Sequence, residues 1–162
     1  MTGKTVSNAA TSPLYLDELS IGQQFVSGSH SIDREQIIAF ASAFDPQPFH
    51  LDDVAARNSV FGGLAASGWH TVAITMRLLV AEQYFADGII GAGAEISWPR
   101  PTRPGDVLTV TSTVVEITPS RSKPERGIVL IRNETRNQRD EVVQLMHSKL
   151  SMSRRPGSGV ST

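Results

Sequence analysis

Two side chains stand out for what they can do together. Asp45 and His50 lie in Phe44-Asp45-Pro46-Gln47-Pro48-Phe49-His50, where a carboxylate and an imidazole sit close together on a stiffened segment. On an α-helix, five residues would turn the two side chains about 140° apart. Pro46 and Pro48 argue against a helix, because each lacks an N–H and pushes the residue before it to extended backbone. The segment is then expected to be a stiff loop that aims both side chains at one spot. A carboxylate and an imidazole so placed can share a water, one removing a proton while the other orients or returns it. General acid–base chemistry of this kind contributes about 10²–10⁴-fold to a rate. The same residues also read as an Asp capping a turn and a His packed at a helix start.

A second stretch, Gly62 to His70 (GGLAASGWH), opens a long apolar segment. Free N–H groups at a helix N-terminus attract developing negative charge. Gly68, with no Cβ, would let a ligand carbonyl approach its N–H and make an oxyanion site for an enolate-like transition state. The alternative is Ser67 as a plain N-cap, with Gly68 there for tight packing. Arg100 and Arg103, in a proline-stiffened loop, can meet phosphates or stand as ordinary solvated arginines. His30, His70 and His147 have no metal-ligand spacing to one another, so no metal site is expected. No P-loop, dinucleotide fingerprint or nucleophile elbow occurs.

These groups must be positioned by a folded body, and composition bounds it. The chain has 162 residues, 40% hydrophobic, with 15 basic and 16 acidic side chains and a net charge of −1. That is one domain's length, and without a basic surplus neither nucleic acid nor an anionic membrane is an expected partner. There is no cysteine, which removes disulfides, thiolate nucleophiles and sulfur-ligated metals and fits a reducing compartment. The first residues lack the apolar run of a signal peptide. Leu64 to Ala86 is apolar but carries Trp69, His70, Arg77, Glu82 and Gln83, and reads as a buried helix of a soluble, cytoplasmic protein. Residues 1–13 and 154–162 are small and polar and read as disordered tails around a single domain over 14–153.

Within that domain, Gln24 to Ser31 reads as a strand. Asp33 and Gln36 form a capping-box pattern for a helix over Arg34 to Phe44. Asp52 to Arg57 offers one or two further turns. The longest helix starts near Ser67 and runs to about Phe85, with apolar residues nearly all round, as in a helix wrapped by other structure. Four strands follow: Ile89 to Trp98, Val107 to Thr118, Ile128 to Thr135 and Glu141 to Met152. One antiparallel sheet of about five strands curled round one helix satisfies this order, an α+β arrangement.

Asp45-Pro46-Gln47-Pro48-Phe49-His50, followed by Ser67-Gly68 and by Pro104-Gly105-Asp106 before a long strand, resembles the MaoC-like dehydratases, the (R)-specific enoyl-CoA hydratases of the hot-dog fold. The family pattern is D-x-N-P-x-H, so Gln47 departs from it by one methylene. The resemblance implies reversible addition of water to a trans-2-enoyl-CoA, giving an (R)-3-hydroxyacyl-CoA. Asp45 and His50 would activate the water, and the Gly68 N–H would polarise the thioester carbonyl. Ser67, Phe49, Trp69, Arg100 and Arg103 are the residues expected to meet substrate. CoA would enter only as part of the substrate, with no separate cofactor. The resemblance also implies a homodimer, or a dimer of dimers, with the acyl-CoA lying at the subunit interface. A hot-dog thioesterase is the alternative enzyme, although such enzymes place a carboxylate or amide on the central helix, which here offers only Glu82 and Gln83 near its end. A non-catalytic acyl-thioester-binding subunit is the third reading.

Overall fold

Val-, Ile- and Thr-rich runs with period-two alternation form the long strands of a computed structural model that describes residues 12–157 and the backbone of Thr5–Val6. The strands are β1 (Thr5–Val6), β2 (Gln24–Ser31), β3 (Gly91–Ser97), β4 (Val107–Pro119), β5 (Arg126–Arg136) and β6 (Val142–Ser153), in the sheet order β1-β2-β4-β5-β6-β3. Every pairing is antiparallel except β1 on β2. Five antiparallel strands thus form the sheet, as expected, and Thr5–Val6 adds two residues at its edge. Residues 1–4, 7–11 and 158–162 lie outside the described residues. The segment expected to be loose from Arg154 is tied as far as Arg155. The Arg154 N–H donates to the Glu125 carbonyl, and the Arg155 guanidinium pairs with Glu18.

Four helices accompany the sheet: α1 (Arg34–Phe44), α2 (Pro48–Leu51), α3 (Asp53–Arg57) and α4 (Gly68–Ala81). Asp33 caps α1 by accepting from the Gln36 N–H at 2.8 Å. The Gln36 side chain does not return the bond, so the expected capping box is half made; its amide oxygen pairs instead with His30 Nε2 at 3.2 Å.

The central helix ends at Ala81 rather than near Phe85. Gln83 adopts a left-handed φ of 48°, which releases the chain so that Tyr84 and Phe85 pack on Phe25. The Tyr84 carbonyl then accepts from the Leu14 N–H at 2.8 Å.

One face of α4, through Thr71, Thr75 and Leu79, is buried; Thr71, Thr75 and Leu79 follow one another at helical i, i+4 spacing. Leu108, Val110, Ser112 and Val114 of β4 are buried, as are Ile131, Asn133 and Thr135 of β5 and Gln144, Met146, Ser148 and Leu150 of β6. The helix is not wrapped all round: Trp69, Met76 and Val80 are exposed. No helix among the described residues is long and apolar enough to cross a membrane.

Candidate active site

The two prolines act differently from one another. Asp45 ends α1, its N–H donating to the Ala41 carbonyl at 2.9 Å, and Gln47 folds back to donate its own N–H to the Asp45 carbonyl at 2.7 Å. Pro48 then opens α2 at its first position, where a missing N–H costs nothing. The stiff non-helical stretch is therefore only Asp45 to Gln47, and His50 sits in a short helical turn instead of a loop. The expected convergence still results. His50 Nε2 lies 3.4 Å from Asp45 Oδ2, with the imidazole 5% and the carboxylate 18% exposed.

The protonation pattern follows from what surrounds the ring. His50 Nδ1 is 2.6 Å from the Ala65 carbonyl oxygen. A carbonyl only accepts, so Nδ1 carries the hydrogen, and in the neutral ring Nε2 presents its lone pair to Asp45. Two acceptors thus face each other, and a shared donor, a proton or a water, reconciles them.

The carboxylate is held ionised. The largest influence is the hydrogen bond from the Ser67 hydroxyl, which lowers the Asp45 carboxyl from its ordinary value against the opposing effect of partial burial. The Gln47 amide and the neighbouring His50 lower it further. Gln47 Nε2 donates to Asp45 Oδ1 at 2.7 Å, so the residue that departs from the family pattern still reaches the carboxylate.

Ser67 has a second task. Its Oγ caps α4 by accepting from the Trp69 N–H at 3.2 Å, and the side chain is fully buried behind the carboxylate. Gly68 follows as the first residue of α4, whose first-turn N–H groups have no acceptor within the helix. Its missing side chain is explained by packing: a Cβ there would lie 2.6 Å from Trp98 Cε2. The packing reading of this glycine is the one this geometry supports, because the space beyond its Cα belongs to Trp98, although the residue still lines the cavity.

Asp45, His50, Gly68, Phe49, Trp69 and Arg100 line one cavity of about 370 Å³. Ser67 lies behind it. Arg103 is not brought to it, because its guanidinium donates to the carbonyls of Phe61, Gly63 and Leu64. That clamp holds the loop whose next carbonyl, Ala65, accepts from His50, so Arg103 supports the site from outside. Arg100 is half exposed, with its Nε 3.9 Å from Glu141 Oε1.

The residue that sequence reasoning missed is Trp98, which was expected only as the end of a strand. The two tryptophans of the chain, Trp69 and Trp98, meet edge to face at 5.9 Å on the wall of this cavity. Their separation in sequence hides the pairing; the one usable signal was the run of prolines after Trp98, which ends the strand at the site. Within α4 there is no carboxylate, and Glu82 beyond its end accepts from the Gly28 N–H at 2.8 Å. The residue a helix-based thioesterase would need is therefore absent from this wall.

A sheet curled round a central helix is the hot-dog architecture, and here an Asp–His pair stands near the helix N-terminus. The chain belongs to the MaoC like domain family, whose match covers residues 18–136. It is similar to the MaoC-like dehydratase of Rhodospirillum rubrum, with 59% identity and a TM-score of 0.87 over 88% of this chain and 99% of that one. It is also similar to the R-hydratase PhaJ1 of Pseudomonas aeruginosa, with 25% identity and a TM-score of 0.70 over 88% and 87% of the two chains. An uncharacterized Bacillus subtilis protein, YdeM, is 36% identical over 140 residues, which is 85% of this chain and 96% of YdeM.

Proposed function

We propose that the protein is a hydro-lyase that adds water reversibly to a trans-2-enoyl-CoA thioester, giving an (R)-3-hydroxyacyl-CoA. The observation that carries this reading is the pair of acceptors, Asp45 Oδ2 and His50 Nε2, 3.4 Å apart on the wall of a cavity that Gly68 at the start of α4 also lines. A water donating to both is held with its oxygen lone pair free to attack.

The roles follow from the hydrogen bonds. Asp45, its pKa lowered by Ser67 and Gln47, is a weak proton acceptor and stays charged, so it orients the water. His50 Nε2 takes the proton as the water oxygen bonds to C3 of the enoyl group, and the imidazolium formed lies beside the carboxylate. The electrons of the C2=C3 bond move to the thioester oxygen, where the Gly68 N–H at the positive end of α4 stabilises the enolate. The imidazolium then returns its proton to C2, and the enolate collapses to the thioester. One water has been added and the enzyme is unchanged. Because the same histidine removes and returns the proton, both additions come from one face of the substrate.

In this reading CoA enters only as part of the substrate, and the compartment is the cytoplasm. The working unit is a homodimer. Support comes from α4, which leaves Trp69, Met76 and Val80 exposed, and from β3, which among the described residues has a neighbour on one side only.

The test is loss of enoyl-thioester absorbance when purified protein meets crotonyl-CoA and longer trans-2-enoyl-CoAs. Asp45→Asn serves as the control. Decay with wild type and about 10²-fold less with the variant supports the mechanism. Equal rates would remove Asp45 from it, and thiol release in place of hydration would turn the reading to a thioesterase.

A further inference from the structure

A second cavity of about 330 Å³ lies deeper along α4, lined by Met76, Leu79, Asn133, Met146, Ser148 and other residues, none of which lines the first cavity. Its walls are mostly apolar and carry no charged side chain. Between the two cavities runs a hydrogen-bonded chain. Trp98 Nε1 donates to Gln144 Oε1 at 3.0 Å, Gln144 Nε2 donates to Thr75 Oγ1 at 3.0 Å, and Thr75 shares a hydrogen bond of 2.7 Å with Thr135. An indole N–H only donates, so the glutamine oxygen must face Trp98 and its nitrogen must face the helix.

The chain's position is set by helix and sheet geometry. Thr71, Thr75 and Leu79 follow one another at i, i+4 spacing on the buried face of α4, each about 6 Å further along the axis. Thr71 lines the first cavity and Leu79 the second, so Thr75 stands between them. On the sheet, Thr135 pairs with Gln144, and Asn133 pairs with Met146. The second pair, one step along the same face, lines the second cavity. Gln144, Thr75 and Thr135 have no exposed surface and line neither cavity. An apolar residue could fill this position for packing alone; a fully buried amide bonded at both ends fixes one rotamer and holds Trp98 in one place.

We propose that Trp98–Gln144–Thr75–Thr135 is a partition. It closes the site cavity toward the core, confines it to short acyl groups, and shuts off a second cavity that a longer chain would occupy. The proposal rests on the reading of the site as one for acyl thioesters. Gln144 is the specificity-determining residue, its fully buried side chain filling the space between the two cavities.

The experiment compares kcat/KM for crotonyl-CoA and trans-2-octenoyl-CoA. Wild type favours crotonyl-CoA, and Gln144→Ala, which joins the cavities, raises the octenoyl-to-crotonyl ratio by about tenfold or more. Gln144→Met refills the space without the amide and returns the ratio toward that of wild type. A folded Gln144→Ala protein with an unchanged ratio overturns the partition. So does a wild type that hydrates octenoyl-CoA as well as crotonyl-CoA, which decides the matter even where the variant does not fold. If wild type hydrates neither thioester, the hydratase reading fails and the partition is judged by binding. Quenching of Trp69 and Trp98 fluorescence by saturated butyryl-CoA should then be tighter than by octanoyl-CoA in wild type, with the order reversed in Gln144→Ala. Equal midpoints, or no quenching, overturn it.

Discussion

The indole of Trp98 occupies the place where a Cβ on Gly68 would stand, with Cε2 only 2.6 Å from it. The start of the central helix and the end of β3 are thereby locked together at the wall of the site. A glycine that helix propensity disfavours is required here by its neighbour, not by its own backbone.

Gly68→Ala is therefore expected to destabilise the protein by about 1–3 kcal/mol through overpacking, although alanine in a free helix would gain about 1 kcal/mol. The displaced indole should also lose its bond to Gln144, so activity falls together with stability. Thermal melts and crotonyl-CoA kinetics of the one variant check both. A variant that is more stable than wild type would show that Trp98 yields without cost.

The hydrogen bond from Ser67 predicts a pH effect. Asp45 is held below the ordinary carboxylate value mainly by that hydroxyl, so wild type keeps the carboxylate charged into the acid range. Ser67→Ala removes the donor, and the Asp45 carboxyl titrates at a higher pH. The loss of the helix cap also costs about 1 kcal/mol of stability. Protonation of the base His50 also removes activity in acid, so the Asp45 titration is read directly, by carboxyl NMR of wild type and variant, and not from the rate. An Asp45 titration unchanged in Ser67→Ala would rule out Ser67 as the group that lowers it.

Arg103 separates two roles by kinetics. Had it met a phosphate of the substrate, Arg103→Met would raise KM and leave kcat alone. Its guanidinium instead holds the carbonyls of Phe61, Gly63 and Leu64, next to the Ala65 carbonyl that orients His50. The expected result is a fall in kcat with KM little changed. Arg103→Lys should not rescue it, since a point charge cannot span three carbonyls as a planar fork does.

Much of this was legible before the fold was known, wherever the determinant was local. The Asp–Pro–x–Pro–x–His run, the Asp33 cap and the alternation in β4, β5 and β6 depend on neighbours a few residues away. What was hidden depends on distant partners. Trp98 meets Gln144 across 46 positions and Gln144 meets Thr75 across 69. Nothing in a threonine- and glutamine-containing strand announces that its inward side chains are polar. The end of α4 was misplaced for the same reason: Tyr84 and Phe85 continue the apolar pattern but are drawn away by Phe25, far earlier in the chain. Arg103 read as a solvent or phosphate residue because three backbone carbonyls leave no mark on a sequence.

His70 carries the last prediction. It lies one turn into α4, stacked flat on Phe40 at 4.5 Å, only 8% exposed, with Nδ1 lacking a hydrogen-bond partner among the described residues. Burial, with a smaller repulsion from His30, lowers its pKa to about 4. An unfolded chain binds a proton at this residue near pH 6.5, so between that value and about 4 the unfolded state holds more protons than the folded one. Stability is therefore undiminished above about pH 6.5, falls as the pH drops below it, and at pH 5 has lost about 2 kcal/mol at this one residue. His70→Leu keeps the volume and the apolar contact with Phe40 but has nothing to protonate. Urea unfolding at pH 7.5 and pH 5 should show a smaller drop for the variant than for wild type. Parallel drops would mean that the buried ring already finds a proton acceptor when the folded protein is acidified.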